Sequence, residues 1–209
     1  KKPEKTYHSE IFYVGDDKEL SINGERVHRI NGYVFRIKST SDDELAIVNS
    51  SFFHVCPVCG YSEVEKQNNR RNFRIKKHNN PYGVVCKSEK IYRKTFGHIF
   101  KTDVVILSCD DYIKKEKALS ILYALLEGIS RYLGIERNDI SGTIHSKKIQ
   151  SGDWQTAFVI FDTVPGGAGH VRRIGTATKK EFSQMLQTSY SVVKNCTCGI
   201  ESDGDSACY

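Results

Sequence analysis

Between residues 56 and 95 the chain has almost nothing from which to build a core. The segment is polar along most of its length and contains RRNFRIKKHNN. Something other than apolar burial must order it. It opens on CPVCG (56–60), and His78 and Cys86 follow, so the pattern is Cys-x2-Cys-x18-His-x7-Cys. A Cys-x2-Cys turn that ends in Gly points two thiolates at one tetrahedral ion, and two further ligands close a structural zinc site. Metal then supplies the order that a core cannot. Ordinary, unligated cysteines are the plain alternative. Cys109 competes with His78 as a ligand, although its place at the end of an apolar run suits a small hydrophobe.

A second cluster ends the chain. CTCGIESDGDSACY places Cys196, Cys198 and Cys208 as Cys-x-Cys-x9-Cys. A closed zinc site takes four ligands, so a further cysteine is expected beyond Tyr209. A redox triad is the alternative. A secreted disulfide scaffold is normally shorter and follows a signal sequence, whereas KKPEKTYHSE has no apolar stretch and no initiating Met. The expected setting is reducing and cytoplasmic, with metal-bound thiolates, and the chain reads as a fragment of a longer protein. No apolar run of about 18 residues is present, so no membrane partner is expected.

The remainder can support a core: apolar residues make up 39% of 209. Residues 1–55 read as β-rich, with YVFRIKS (33–39), LAIVNSSFFHV (45–55) and an Asn-Gly turn in INGERV. TDVVILS (102–108) and TAFVIFD (156–162) are short apolar runs of the kind that form buried strands. Between them, Leu122, Leu125, Leu126, Ile129 and Leu133 recur at helical spacing, and Gly134 stands where a helix would cap. ISGTIH (140–145) reads as a strand and SGDWQ as a turn. VRRIGTATKKEFSQMLQTSYSVVK supports one or two helices. The expected fold class is α/β, a mixed sheet flanked by helices, with a β-rich N-terminal part and zinc-binding insertions. The expected division is 1–55, 56–95 and 96–209.

FDTVPGGAGHVRR (161–173) puts three glycines ahead of His170, Arg172 and Arg173. It is neither a GxxxxGK[ST] loop nor a full GxGxxG, so a nucleotide site has little support. Two readings remain: a structural corner, or backbone amides at Gly167 and Gly169 that meet a DNA phosphate at a helix start. Basic runs point the same way as the second reading, with His170, Arg172 and Arg173 at the helix start as further DNA contacts. Arg70, Arg71 and Arg74 interleave with Phe73, and Lys147 and Lys148 form another pair. Such groups neutralise phosphates, and an aromatic stacks on a base; a solvated loop face is the bland alternative. His98 and Asp103, expected on loops that flank a strand, would with Asp162 and His170 be the centre of a hydrolase if there were one. No GxSxG or HEXXH pattern accompanies them.

Four stretches occur in a telling order: GHIFKTDVVIL (97–107), LLEGISRYLGI (125–135), VIFDTVPGGAGHVRRI (159–174) and the CxCG…SACY ending. Together they resemble the C-terminal zinc-binding domain of the mitomycin repair factor A (MrfA) type of helicase. They also resemble the C-terminal part of DrmB, a subunit of the DISARM anti-phage system. The resemblance covers residues 50–209, approximately, and the upstream CPVCG…His…Cys element is similar to the longer, DrmB-like members. It implies a zinc-stabilised DNA-binding and scaffolding module of a DNA-processing or antiviral defence complex. The helicase would be a partner in trans, or a domain in cis as in DNA repair. Neither a Walker A nor a DEAH motif is present, so ATPase activity is not expected of this chain. A protein–protein adaptor without DNA contact is a third possibility.

Overall fold

The computed structural model describes residues 9–14, 25–49, 51–65, 77–88, 90–110, 113–148 and 154–196. In chain order the strands are β1 (Ser9–Tyr13), β2 (Arg26–Ile30), β3 (Tyr33–Asn49), β4 (Phe53–Val55), β5 (Ser62–Val64), β6 (Tyr92–Lys94), β7 (Gly97–Cys109), β8 (Ile140–Lys148) and β9 (Trp154–Asp162). The helices are α1 (Lys115–Leu133), α2 (His170–Gly175) and α3 (Lys179–Lys194). The fold is α/β with a β-rich N-terminal part, as the sequence leads one to expect. The chain forms two compact units: Lys1–Phe12 with Ala46–Ile99, and Tyr13–Leu45 with Phe100–Tyr209.

The second unit carries the core. One sheet has the order β1-β3-β7-β9-β8, with β2 paired to β3. The β7–β9 and β8–β9 pairings are antiparallel, with Val105 opposite Ile160, Leu107 opposite Phe158 and Ile140 opposite Asp162. Side chains alternate across a strand, so Val105, Leu107, Phe158 and Ile160 share one face. There they meet Leu122, Leu126 and Ile129 of α1 and Phe182 and Met185 of α3 in one buried cluster. Val104, Ile106, Val159 and Phe161 on the opposite face are buried too. The Tyr13 ring meets His145 of β8 edge-to-face at 5.7 Å. Burial on both faces is why these strands read as unbroken apolar runs rather than as alternation.

Local chemistry sets the joints. Asn31 and Gly32 both have positive φ, 50° and 86°, in a two-residue loop between Ile30 and Tyr33. That loop demands Asn-Gly because its twist matches the strands. It is the second Asn-Gly of the region; the Asn-Gly of INGERV lies outside the described residues. Gly134 caps α1 at φ 67°. Helix α1 crosses α3 where Gly128 meets Ser189: a Cβ on Gly128 would overlap the Ser189 backbone. Thr178 and Glu181 close a capping box at the start of α3. Two readings are corrected. Trp154 and Gln155 begin β9 instead of forming a turn, because they continue the ladder opposite Lys148 and Lys147. His98 lies within β7, which starts earlier than its apolar stretch, and not on a loop.

The first unit holds a three-stranded antiparallel sheet of order β5-β4-β6. The Phe53 and Phe96 rings meet at 4.9 Å. The guanidinium of Arg93 lies 3.3 Å over the Phe52 ring and pairs with Glu65. Among the described residues of this unit, Cys56 is the single apolar residue that is buried.

Candidate metal centre

Two short turns of the first unit bring the donors together. The first joins β4 to β5. Cys56 follows the strand directly, its N–H donates to the Tyr61 carbonyl at 2.8 Å, and Gly60 donates back to Cys56 O at 3.0 Å. Gly60 has φ 74°, which the tight turn requires and only Gly takes without strain. Cys59 sits within that turn. The second is a hairpin. Cys86 N–H donates to His78 O at 2.9 Å, and Asn79 bridges Val85 in antiparallel register. At its tip the Asn80 side chain accepts from Tyr82 N–H at 3.0 Å and Val84 N–H at 2.9 Å.

The donor atoms of Cys56, Cys59, His78 and Cys86 all lie within 4.8 Å of one another. The Sγ atoms of Cys56 and Cys86 are 3.8 Å apart. A tetrahedral ion with Zn–S bonds of about 2.3 Å places its sulfurs about 3.8 Å apart, so the pair already has the spacing of two zinc ligands. His78 is buried, and the Tyr61 ring stacks on it at 4.6 Å and 24°. Tyr61 in turn donates its hydroxyl to Glu63 at 3.3 Å. This aromatic backing fixes the imidazole plane as supporting groups around metal sites do.

The electrostatics suit a cation. Burial works to raise the Cys56 thiol, but hydrogen bonds from the Cys59 backbone, Ser88 and the Val58 backbone outweigh it and hold its pKa down to about 5. At Cys59 a hydrogen bond from the Tyr61 backbone lowers the thiol. Burial and the neighbouring Cys56 and Cys86 sulfurs prevail and push it up. One thiolate is ready at neutral pH, and Cys59 resists taking a second negative charge. A divalent ion removes that conflict. Three sulfurs and one imidazole are a zinc donor set, and four protein ligands leave no open coordination position, which is a structural rather than a catalytic arrangement.

The other expected ligands fare differently. Cys196 follows α3 half-buried, its N–H donating to Val193 O at 3.3 Å. Cys198 and Cys208 lie outside the described residues. Cys109 closes β7 as a buried residue whose carbonyl accepts from Gln155.

The glycine-rich turn is built around an internal carboxylate. Asp162 is fully buried at the end of β9. It accepts from the backbone N–H groups of Ala168 at 2.7 Å, His170 at 3.1 Å and Val171 at 3.0 Å. Three amides of this turn are therefore filled by Asp162, and the Gly167 N–H donates to Val164 O at 2.9 Å. Gly167, at φ 78°, leaves no room for a Cβ against the Asp103 side chain. Asp103 is itself held two-pronged by Arg172, at 2.8 and 2.9 Å. Arg173 donates to Leu133 O at the end of α1 at 3.2 Å. Gly169 caps the start of α2 at φ 81°. Both carboxylates of the imagined hydrolase are thus structural anchors. Arg70, Arg71 and Arg74 lie outside the described residues; Lys147 and Lys148 form the last rungs of β8. The roles of Asp162 and Tyr61 were not legible in the sequence: Asp162 opens the DTVPGGAGH stretch with nothing there to mark it as an acceptor, and Tyr61 belongs to no motif.

Residues 121–209 match the family model of the MrfA Zn-binding domain. The resemblance carried by DTVPGGAGH and the CxCG ending is borne out over that range. The range includes Cys196, Cys198 and Cys208, whereas the four gathered donors lie upstream of it. No curated protein matches the chain. One solved structure that resembles it is the crystal structure of DUF1998 helicase MrfA bound to DNA. The two share 12% identity at a TM-score of 0.46, over 96% of this chain and 23% of that one. The chain thus spans less than a quarter of that helicase. Among the described residues no helix is long and apolar enough to cross a membrane.

Proposed function

We propose that this chain is a zinc-stabilised DNA-binding and scaffolding module of a helicase-containing DNA-processing machine. The match of residues 121–209 to the MrfA Zn-binding domain carries the reading. The four gathered donors at 56–86 support it by adding a closed zinc site outside the matched range. In this reading Cys56, Cys59, His78 and Cys86 hold one zinc. Cys196, Cys198 and Cys208 hold a second, with a ligand from beyond Tyr209. The module carries no chemistry of its own. It binds DNA through Lys and Arg while a motor acts from a partner chain, or from another part of the same chain. We favour the partner arrangement, a DrmB-like role in phage defence, because the upstream CPVCG element resembles that side of the family. Repair in cis is the second reading.

The test is salt-dependent DNA binding by the purified, zinc-loaded chain. Each phosphate contact contributes about 0.9 to the slope of log K against log salt on duplex and about 0.7 on a single strand. A slope of several units supports the module. No binding to either form makes the chain a protein–protein adaptor. Reading the genes on either side separates the two arrangements. Walker A and DEAH-type motifs in the same frame mean repair in cis, and the same motifs in a neighbouring gene beside a methyltransferase mean defence in trans.

A further inference from the structure

We infer that the His78–Cys86 hairpin of the metal centre is a contact site for unpaired nucleic-acid bases, with Tyr82 as the stacking group and Lys77 and Lys87 as the phosphate contacts. This rests on the DNA-binding reading and assigns it a surface and a preferred form of DNA.

Tyr82 is 89% exposed at the hairpin tip. With Val84 and Val85, which are exposed too, it makes the tip a contiguous apolar surface in water. It is also not loose. Asn80 fixes the tip through its side chain, Asn80 N–H donates to Val84 O at 2.8 Å, and Gly83 N–H donates to Asn80 O at 2.9 Å. The ring is presented on a preorganised turn, so little ordering remains when a ligand stacks on it.

The second observation is charge. His78 and Cys86 face each other across the hairpin, and Lys77 and Lys87 stand one residue further out on each strand, both exposed. The two arms of the hairpin thus each carry a positive charge beyond the metal-ligand pair. Among the described residues neither has an ion-pair partner, and Lys90 adds an exposed positive charge close by in the chain. An anionic backbone passing the base of the hairpin would meet both charges. A ring with cations at the base of its own loop is the combination that binds single strands. In a duplex the base faces are stacked away from such a ring, so an unpaired strand is favoured. The ligand pair that closes the hairpin base also ties the surface to the metal.

The measurement is fluorescence anisotropy of a labelled oligothymidylate of about 15 nucleotides, against a duplex of equal length, with zinc content recorded for each protein. Tyr82→Ala is expected to weaken single-strand binding about tenfold with zinc retained, and Tyr82→Phe to keep most of it. Lys77→Ala and Lys87→Ala should each lower the single-strand salt slope by about 0.7. If the wild type binds the oligonucleotide and Tyr82→Ala binds it equally, the inference is wrong and the DNA reading survives. If the wild type binds neither form, both fall.

Discussion

The two units are held together by different means. The second buries a continuous cluster that runs from Ile37 through Leu126 and Ile160 to Met185. Among the described residues of the first, Cys56 alone is a buried apolar residue, while Val58, Tyr82 and Val84 stand in solvent. One unit is stabilised by area removed from water, the other by four donors gathered within 4.8 Å. The comparison teaches that a polar segment needs no core where metal closes its loops.

The sharpest way to break this contrast is to remove the metal. Zinc contributes on the order of 10 kcal/mol to small sites of this kind. After chelation, hydrogen exchange at residues 53–64 and 78–94 should reach the unfolded limit, while 104–107 and 158–161 stay protected. Simultaneous loss in both units would refute the division. Acid should act on the same unit. Cys56 lies at about 5 when folded against 9.0 otherwise, so its thiolate contributes stability in full above pH 9. That contribution shrinks as pH falls and is lost below about pH 5. A titration followed by zinc release should show its midpoint near or below pH 5. Release already at pH 7 would contradict the depressed thiol.

Smaller effects belong to the second unit. Asp162→Asn weakens three hydrogen bonds to a charged acceptor and should cost about 3 kcal/mol. Chemical denaturation measures this, and zinc content should stay constant. An undisturbed fold with lost DNA cleavage would instead revive the hydrolase reading. Gly128→Ala forces α1 from α3 and should cost about 1–3 kcal/mol. An unchanged denaturation midpoint would mean that the helices separate freely there.

The same contrast explains what could be read from the sequence. Helix α1 and strands β7 and β9 were legible because burial imposes periodicity or an apolar run on consecutive residues. The Cys-x2-Cys turn was legible because metal geometry fixes a local spacing. The partition at residues 55 and 95 was drawn along the chain, whereas the compact units mix distant segments: β3 and β7 each contribute to both. Linear text does not record such exchange. Asp162 was seen as the end of a strand, but its acceptors' partners lie six to nine residues ahead on a turn whose shape no local rule predicts. The phosphate reading puts a ligand on the amides of Gly167 and Gly169, whereas a carboxylate of the chain itself takes those of Ala168, His170 and Val171 beside them.

Those separations along the chain also order events in time. The four donors of the metal centre span residues 56 to 86. The core of the other unit is complete only when Phe182 and Met185 arrive, although Ile37 and Leu45 are made first. During synthesis from the N-terminus, the metal centre has all its ligands while its neighbour still lacks both long helices. A cell short of zinc would therefore expose this chain early, on the ribosome, before the apolar core exists to shelter any part of it.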